Sequence, residues 1–243
     1  MRHLDLFSGI GGFALAAKWA GFETVGFCEQ DDFCKSVLAA RWPVVPIHDD
    51  VRELDGRLFR GVELISGGYP CQPFSSSGKR LGAKDDRHLW PEMRRIIEQA
   101  RPTWVVSENV AGHITMGLDD VLSDLESLDY AARAVVIPAC AVGANHRRAR
   151  VWVVAHATEF GLGDNIPQQR HDPAPHIWGK WEEWEDKPVI SGTDDGIPNR
   201  VDRIAAIGNA IVPQVAYELL RVMTHNAKRH LQRRIQTLQQ IQK

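Results

Sequence analysis

The sequence predicts an α/β fold in which helices cover both faces of a sheet, with a small irregular second lobe. Three observations predict it. Short apolar, β-branched runs at residues 3–7, 23–28, 62–66 and 103–107 alternate with helix-period stretches at 12–20, 31–41 and 89–99. The first run turns through Ser8-Gly9-Ile10-Gly11-Gly12 directly into a helical pattern, a strand–loop–helix unit whose glycines let backbone N–H groups approach a ligand. After Ala155 the periodicity disappears, and Gly, Pro, His and the group Trp178, Trp181 and Trp184 follow until about residue 199.

A chain of 243 residues, 44% hydrophobic and 25% charged, suits one large domain or one domain with a small lobe. No apolar run approaches the roughly 20 residues that a membrane-spanning helix needs, and Met1-Arg2-His3-Leu4-Asp5 leads into a strand without a secretory pattern. A cytoplasmic protein is expected. Cys28, Cys34, Cys71 and Cys140 are scattered without ligand spacing, which favours reduced thiols over disulfides or a metal site. The net charge of −2 counts against nucleic-acid binding unless cations concentrate on one face.

Taken in order, the glycine loop is not the full dinucleotide fingerprint, and an ordinary α/β turn explains it equally well. Glu29 follows the second strand, where an acidic residue in such folds accepts hydrogen bonds from ribose hydroxyls; a solvated strand end is the plain alternative. Trp42-Pro43 ends the helix at 31–41. The strand at 62–66 is expected to stop at Gly67-Gly68 because glycines reach backbone angles closed to other residues. Beyond it, Pro70-Cys71-Gln72-Pro73 presents a sulfur on a stiffened loop at a strand's carboxyl end, the edge where open α/β sheets bind ligands; the alternative is a small core cysteine. The polar stretch at 75–82 carries Lys79 and Arg80 and suits a phosphate backbone or simply solvent.

The strand at 103–107 ends at Glu108-Asn109, which brings a carboxyl to the same edge as Cys71. A helix at 118–128 precedes two strands, 131–137 and 151–155, which can pair antiparallel. Alternation in Arg148-Ala149-Arg150 predicts both guanidinium groups on one strand face, suited to a phosphate or a base carbonyl, unless they form only a surface charge run. Between residues 159 and 195, nine acids face only Arg170, Lys180 and Lys187, so the second lobe is acidic, and its tryptophans form either a miniature core or a base-stacking surface. A helix from about residue 214 ends in a basic tail with Lys228, Arg229, Arg233, Arg234 and Lys243.

Six blocks in sequence resemble the DNA (cytosine-5)-methyltransferases: residues 5–13, Glu29, the Pro70-Cys71-Gln72-Pro73-Phe74-Ser75 loop, Glu108-Asn109-Val110, Arg148-Ala149-Arg150 and Gly208-Asn209-Ala210. The resemblance implies a Rossmann-like, S-adenosylmethionine-dependent methyltransferase sheet with helices on both faces. It divides the chain into a catalytic and cofactor-binding domain (1–155), a small target-recognition lobe (156–199) and a return to the catalytic domain with a basic C-terminal helix (200–243). It implies that Asp5, Phe7, Ser8, Gly9, Gly11, Gly12, Glu29, Asp50, Val51 and Asn209 hold S-adenosylmethionine, that Cys71, Glu108, Arg148 and Arg150 are catalytic, and that Pro70, Gln72, Ser75 and Asn109 contact the substrate. The block at Arg148 departs from the family in carrying His146 where relatives have Gln. The lobe is shorter and more acidic than the family's recognition region. Implied chemistry is methyl transfer to carbon 5 of a flipped cytosine in double-stranded DNA by a monomer, without metal, in a restriction–modification or phage setting. An RNA cytosine-5 methyltransferase and a non-catalytic DNA- or cofactor-binding relative stay open beside it.

Overall fold

The computed structural model describes residues 1–70, 89–158 and 200–225. Among these residues seven strands form one sheet: β1 (Arg2–Leu6), β2 (Glu23–Cys28), β3 (Ile47–His48), β4 (Leu64–Gly67), β5 (Trp104–Val110), β6 (Tyr130–Ile137) and β7 (Arg150–Ala157), in the spatial order β3-β2-β1-β4-β5-β7-β6. The pairs from β3 to β5 are parallel, whereas β7 runs antiparallel to both β5 and β6. The α-helices among the described residues are α1 (Gly12–Trp19), α2 (Asp32–Arg41), α3 (Trp90–Ala100), α4 (Leu118–Ser127), α5 (Arg200–Asn209) and α6 (residues 213–225).

The period-2 alternation of the strands divides the core into two layers. Leu4, Leu6, Ile65, Val105 and Val153 face α3 and α4, meeting Met93, Ile96, Ile97, Val121 and Leu125. Their sequence neighbours Leu64, Trp104, Val106 and Trp152 face the other way, meeting Phe13, Ala16 and Ala17 of α1 and Val215, Ala216, Leu220 and Met223 of α6. Residues 200–225 therefore complete the sheet's own core.

Helix starts follow local chemistry. Asp31 caps α2 by accepting from the Cys34 N–H (2.8 Å). Gly11, at φ 85°, has no side chain to cap α1, and the Asp5 carboxylate on β1 accepts from the Ala14 N–H (3.2 Å) in its place.

Several expectations are corrected. The strand expected at 103–107 continues to Val110, because β7 pairs with it along its whole length, so Glu108 and Asn109 lie inside β5. β7 likewise runs on to Ala157, past the expected boundary at 155. Neither Gly67 nor Gly68 has a positive φ. Gly67 is small for want of room: a Cβ there would meet the Leu6 carbonyl oxygen at 3.1 Å and Met93 Sδ at 3.2 Å. Arg148 is not in a strand; it adopts φ 29° in the turn before β7. Helix α5 was not anticipated. Residues 159–199, holding most of the expected recognition lobe with its tryptophans, the loop at 75–82 and the basic tail beyond 225 lie outside the described residues.

Candidate active site

A cavity of about 620 Å3 opens at the carboxyl ends of β1, β2, β4 and β5. Cys28 at the end of β2, and Phe7 and Glu29 just beyond β1 and β2, line it, with Asp31, Asp49, Asp50 and Val51 beside them. Gly68, Tyr69, Pro70, Glu108, Asn109, Arg148 and Arg150 line the β4–β5–β7 side, and Asp202, Ala205, Ala206, Gly208 and Asn209 bring α5 to the wall. Carboxylates thus concentrate on the β2–β3 side, while guanidinium groups gather on the β7 side.

On the first side Glu29 organises the loop. Its Oε2 accepts from the Gly9 N–H (2.7 Å) and its Oε1 from the Asp31 N–H (2.8 Å). A carboxylate has about four acceptor positions, so two remain for a ligand's hydroxyls. Phe7 is held at φ 54°, a rare angle for a residue with a side chain, and Gly9 follows at φ 52°. Asp50 accepts from the Arg52 backbone N–H (2.9 Å) and its guanidinium (3.2 Å), while the buried Val51 gives its carbonyl to Arg95 (2.8 Å). Burial pushes the thiols of Cys28 and Cys34 up to about 12, so neither supplies a thiolate near neutrality.

Asp5, Ser8, Gly11 and Gly12 are not among the lining residues and stand behind this wall. The Ser8 hydroxyl donates to the Asp5 carbonyl (2.8 Å), and a Cβ on Gly12 would strike Ile211 at 2.7 Å. Asp5 ends a buried polar chain: Ser66 Oγ donates to Asp5 Oδ1 (3.1 Å) and meets His3 Nε2 (2.7 Å), whose Nδ1 meets Thr24 Oγ1 (3.0 Å). Since Ser66 gives its proton to Asp5, His3 Nε2–H donates to Ser66, and Nδ1 accepts from Thr24. Burial pushes His3 down to about 3, keeping it neutral in that role, and pushes Asp5 well above the usual carboxylate range.

On the second side Glu108, 9% exposed, pairs with Arg150 (Nε to Oε1, 3.1 Å). Burial raises its pKa, opposed by Arg150 and then by Arg148. A carboxyl so placed holds a proton more readily than a surface glutamate. Asn109 Nδ2 donates to the Tyr69 carbonyl (3.1 Å), and the Tyr69 hydroxyl bonds His113 Nε2 (2.8 Å), so the backbone leading to Pro70 is held from β5 and from the turn after it. Arg148, expected to share a face with Arg150, instead donates from Nη2 to the Gly208 and Ala210 carbonyls (2.7 and 2.8 Å). Cys71, Gln72 and Ser75 lie outside the described residues, while Pro70 stands at the cavity.

The family model for C-5 cytosine-specific DNA methylases matches residues 1–188. The chain belongs to that family. Among curated relatives it is 33% identical over 164 residues to the Type II methyltransferase M.NgoMIV of Neisseria gonorrhoeae, covering 65% of this chain and 52% of the relative. It is 30% identical over 167 residues to the Type II methyltransferase M.HhaI of Haemophilus parahaemolyticus, covering 67% and 51%. The chain thus spans about half the length of these relatives. A putative DNA modification methyltransferase encoded within an Escherichia coli prophage superposes with a TM-score of 0.59 at 25% identity, over 71% of this chain and 52% of that one. A DNMT2 mutant from Spodoptera frugiperda shares the fold with a TM-score of 0.58 at 23% identity, over 70% and 53%.

Within this methylase fold, sequence reasoning missed Asp202, Ala205 and Ala206 on the wall and the Tyr69–His113 bond beneath it. The α5 residues recur at helical spacing, a usable signal. Nothing local to Tyr69 announces a partner 44 residues away. Among the described residues no group of three or more His, Cys, Asp or Glu could hold a metal ion, and no helix is long and apolar enough to cross a membrane.

Proposed function

We propose that this chain transfers a methyl group from S-adenosylmethionine to carbon 5 of a flipped cytosine in double-stranded DNA, through a covalent adduct on Cys71. The observation that carries this reading is the pair of buried Glu108 and half-buried Arg150 on the cavity whose other side is lined by Glu29, Asp31, Asp49 and Asp50. A carboxyl whose pKa is raised by burial, set beside a guanidinium, suits the ring nitrogen and carbonyl of a base, and the carboxylates suit a cationic donor that carries ribose hydroxyls. Glu29, with acceptor positions to spare, would hold the ribose of S-adenosylmethionine; Phe7 would lie against its adenosyl group, with Gly9, Asp50, Val51 and Asn209 around it. When bound, the cofactor supplies an electrophilic methyl on a sulfonium.

Carbon 5 of cytosine is a poor nucleophile, so the chain must first break the ring's aromaticity. The Cys71 thiolate adds to carbon 6, forming a sulfur–carbon bond and pushing the ring electrons toward carbon 5. Glu108 gives or shares a proton at ring nitrogen 3, offsetting the charge that develops there, and Arg150 steadies both Glu108 and the base carbonyl. Once carbon 5 has taken the methyl, with the S–CH3 bonding pair left on the donor's sulfur, a base removes the carbon 5 proton, the carbon 5–carbon 6 double bond re-forms as the thiolate leaves carbon 6, and the proton on ring nitrogen 3 returns to Glu108. A base within a duplex is out of reach, so the target must be flipped, at a cost of a few kcal/mol. Asn109 holds the backbone before Pro70 that carries this loop, and Pro70, Gln72 and Ser75 would contact the extruded nucleotide. We place the protein in the cytoplasm, acting as a monomer that modifies DNA.

The experiment is a trap. With fluorine at carbon 5 the final proton removal is impossible, so enzyme and duplex should remain joined. A denaturant-resistant complex is expected that requires S-adenosylmethionine, maps by mass spectrometry to Cys71 and is absent in Cys71→Ala, with Glu108→Gln slowing its formation by about a hundredfold. A Cys71→Ala variant that methylates duplex DNA at the parental rate sinks the proposal. Methylation of transfer RNA but not of duplex DNA moves the substrate to RNA.

A further inference from the structure

We infer that Arg148 is a positioning residue, a clasp that holds the C-terminal end of α5 in the cavity wall, and that it does not act on the base. The inference rests on the methyltransferase reading above for its ligand, but its geometry stands apart from it. Helix α5 ends at Asn209, and its last carbonyls need partners that the helix cannot supply. The Ala210 N–H takes the Ala206 oxygen (3.0 Å), with the Ile207 oxygen at 3.3 Å. The Gly208 and Ala210 oxygens are then taken by the two N–H groups of Arg148 Nη2, at 2.7 and 2.8 Å. A guanidinium at the negative end of a helix is favoured twice, by hydrogen bonding and by the helix dipole.

The clasp acts on a segment already held from its other side. A Cβ on Gly12 would meet Ile211 at 2.7 Å, and Ile211 and Val212 pack with Phe13 in the core layer shared with α1. Residues 208–212 therefore lie between the start of α1, after the glycine loop, and Arg148. Asn209 sits inside that span and lines the cavity. Two residues beyond Arg148, Arg150 pairs with Glu108. One short turn thus ties the α5 wall to the buried carboxyl, and the left-handed backbone at Arg148 (φ 29°) lets the two guanidinium groups reach different partners. Arg148 serves cofactor affinity by fixing the Asn209 wall, whereas Arg150 serves the chemical step.

The test compares Arg148→Ala, Arg148→Lys and Arg150→Ala in the full chain by three measurements. Hydrogen exchange without ligand should show faster exchange of the amides at 207–212 in Arg148→Ala, with β5 and β7 unchanged. Calorimetry should show S-adenosylmethionine binding about tenfold weaker in Arg148→Ala, largely rescued in Arg148→Lys, which keeps a cation at the helix end. Methyl incorporation into duplex DNA should show KM for the cofactor raised and kcat nearly kept in Arg148→Ala, and the reverse in Arg150→Ala. If Arg148→Ala does not fold, Arg148→Lys decides by the same exchange and KM–kcat measurements. Parental exchange and cofactor affinity with kcat lost in an Arg148 variant overturn the inference and return Arg148 to the base. A parental protein that binds no S-adenosylmethionine removes the methyltransferase reading instead, and the exchange result alone then upholds or overturns the clasp.

Discussion

Asp5 carries a carboxyl with no exposed surface, and its work is to cap α1 and to end the chain of hydrogen bonds through Ser66, His3 and Thr24. Burial, aided by the Glu29 charge, raises its pKa against the pull of the Ser66 and Ala14 hydrogen bonds. The folded state therefore holds this proton more tightly than the unfolded chain does. The associated stability is full below the ordinary value of 3.8 and is lost as pH rises through the folded pKa. Asn fits the same place, its oxygen accepting from Ala14 N–H and its amide donating to Ser66, with the Ser66–His3–Thr24 bonds reversed in direction. Melting curves of Asp5→Asn should lose the part of the decline above about pH 4 that Asp5 causes; an unchanged slope would remove Asp5 as the titrating group. Glu29 bears a different burden, since its oxygens hold the Gly9 and Asp31 amides while facing the cavity. Glu29→Ala should keep the fold by circular dichroism and weaken S-adenosylmethionine binding by tenfold or more, roughly the loss of one or two charge-assisted hydrogen bonds. Equal affinity by calorimetry would discard the assignment.

The elements show where local pattern carries information and where it stops. β2 (Glu23–Cys28) occupies the residues its short apolar run predicts, since a strand covered on both faces is marked by its own side chains. β5 is longer than its apolar run because its end is defined by pairing with β7, about 45 residues away in sequence, and that pairing draws Glu108 and Asn109 into the ladder. Helix α5 escaped notice for a related reason: Val201, Ile204 and Ile207 are exposed, and Gly208-Asn209 favours turns over helix. The six blocks pointed to residues on both sides of the cavity, yet the divergence of Arg148 from Arg150 depends on a single backbone angle that alternation cannot foresee. Gly67 makes the point measurable. If its role were conformational, Gly67→Ala would cost only what an unusual φ costs, but its φ is ordinary and its constraint is space between Leu6 and Met93. Gly67→Ala is expected to destabilise by about 1–3 kcal/mol through overpacking of β4 against β1 and α3. Met93→Ala should offset part of that loss in a double-mutant cycle; strict additivity would place the strain elsewhere.

At the scale of the molecule, residues 200–225 return to the sheet and complete the layer opposite α3 and α4. Leu220, Val215, Ala216 and Met223 share one apolar cluster with Phe13 and Ala16 of α1 and with Leu64, Trp104 and Trp152 of the sheet. The same return places Ile211 against Gly12 and Asn209 in the cavity, so packing of α6 and shape of the cofactor side are one structural fact. A layer completed by a distant segment should melt with the rest. Leu220 has no exposed surface, and Leu220→Ala should cost about 2–5 kcal/mol by lost burial and a residual cavity. At about 2–4 °C per kcal/mol for a domain of this size, the melting temperature should fall by roughly 4–20 °C. The decisive observation is the shape of the transition. Tryptophan fluorescence, to which Trp104 and Trp152 beside α6 contribute among the chain's eight tryptophans, and far-ultraviolet circular dichroism should trace one coincident curve in parent and variant. Saturating S-adenosylmethionine at about a hundred times its Kd should restore about 2.7 kcal/mol, because the ligand binds only the assembled wall. An α6 that melts first, leaving the sheet's transition and the ligand's stabilisation unaltered, would make the segment an appendage and would uncouple the cofactor side from the C-terminal return.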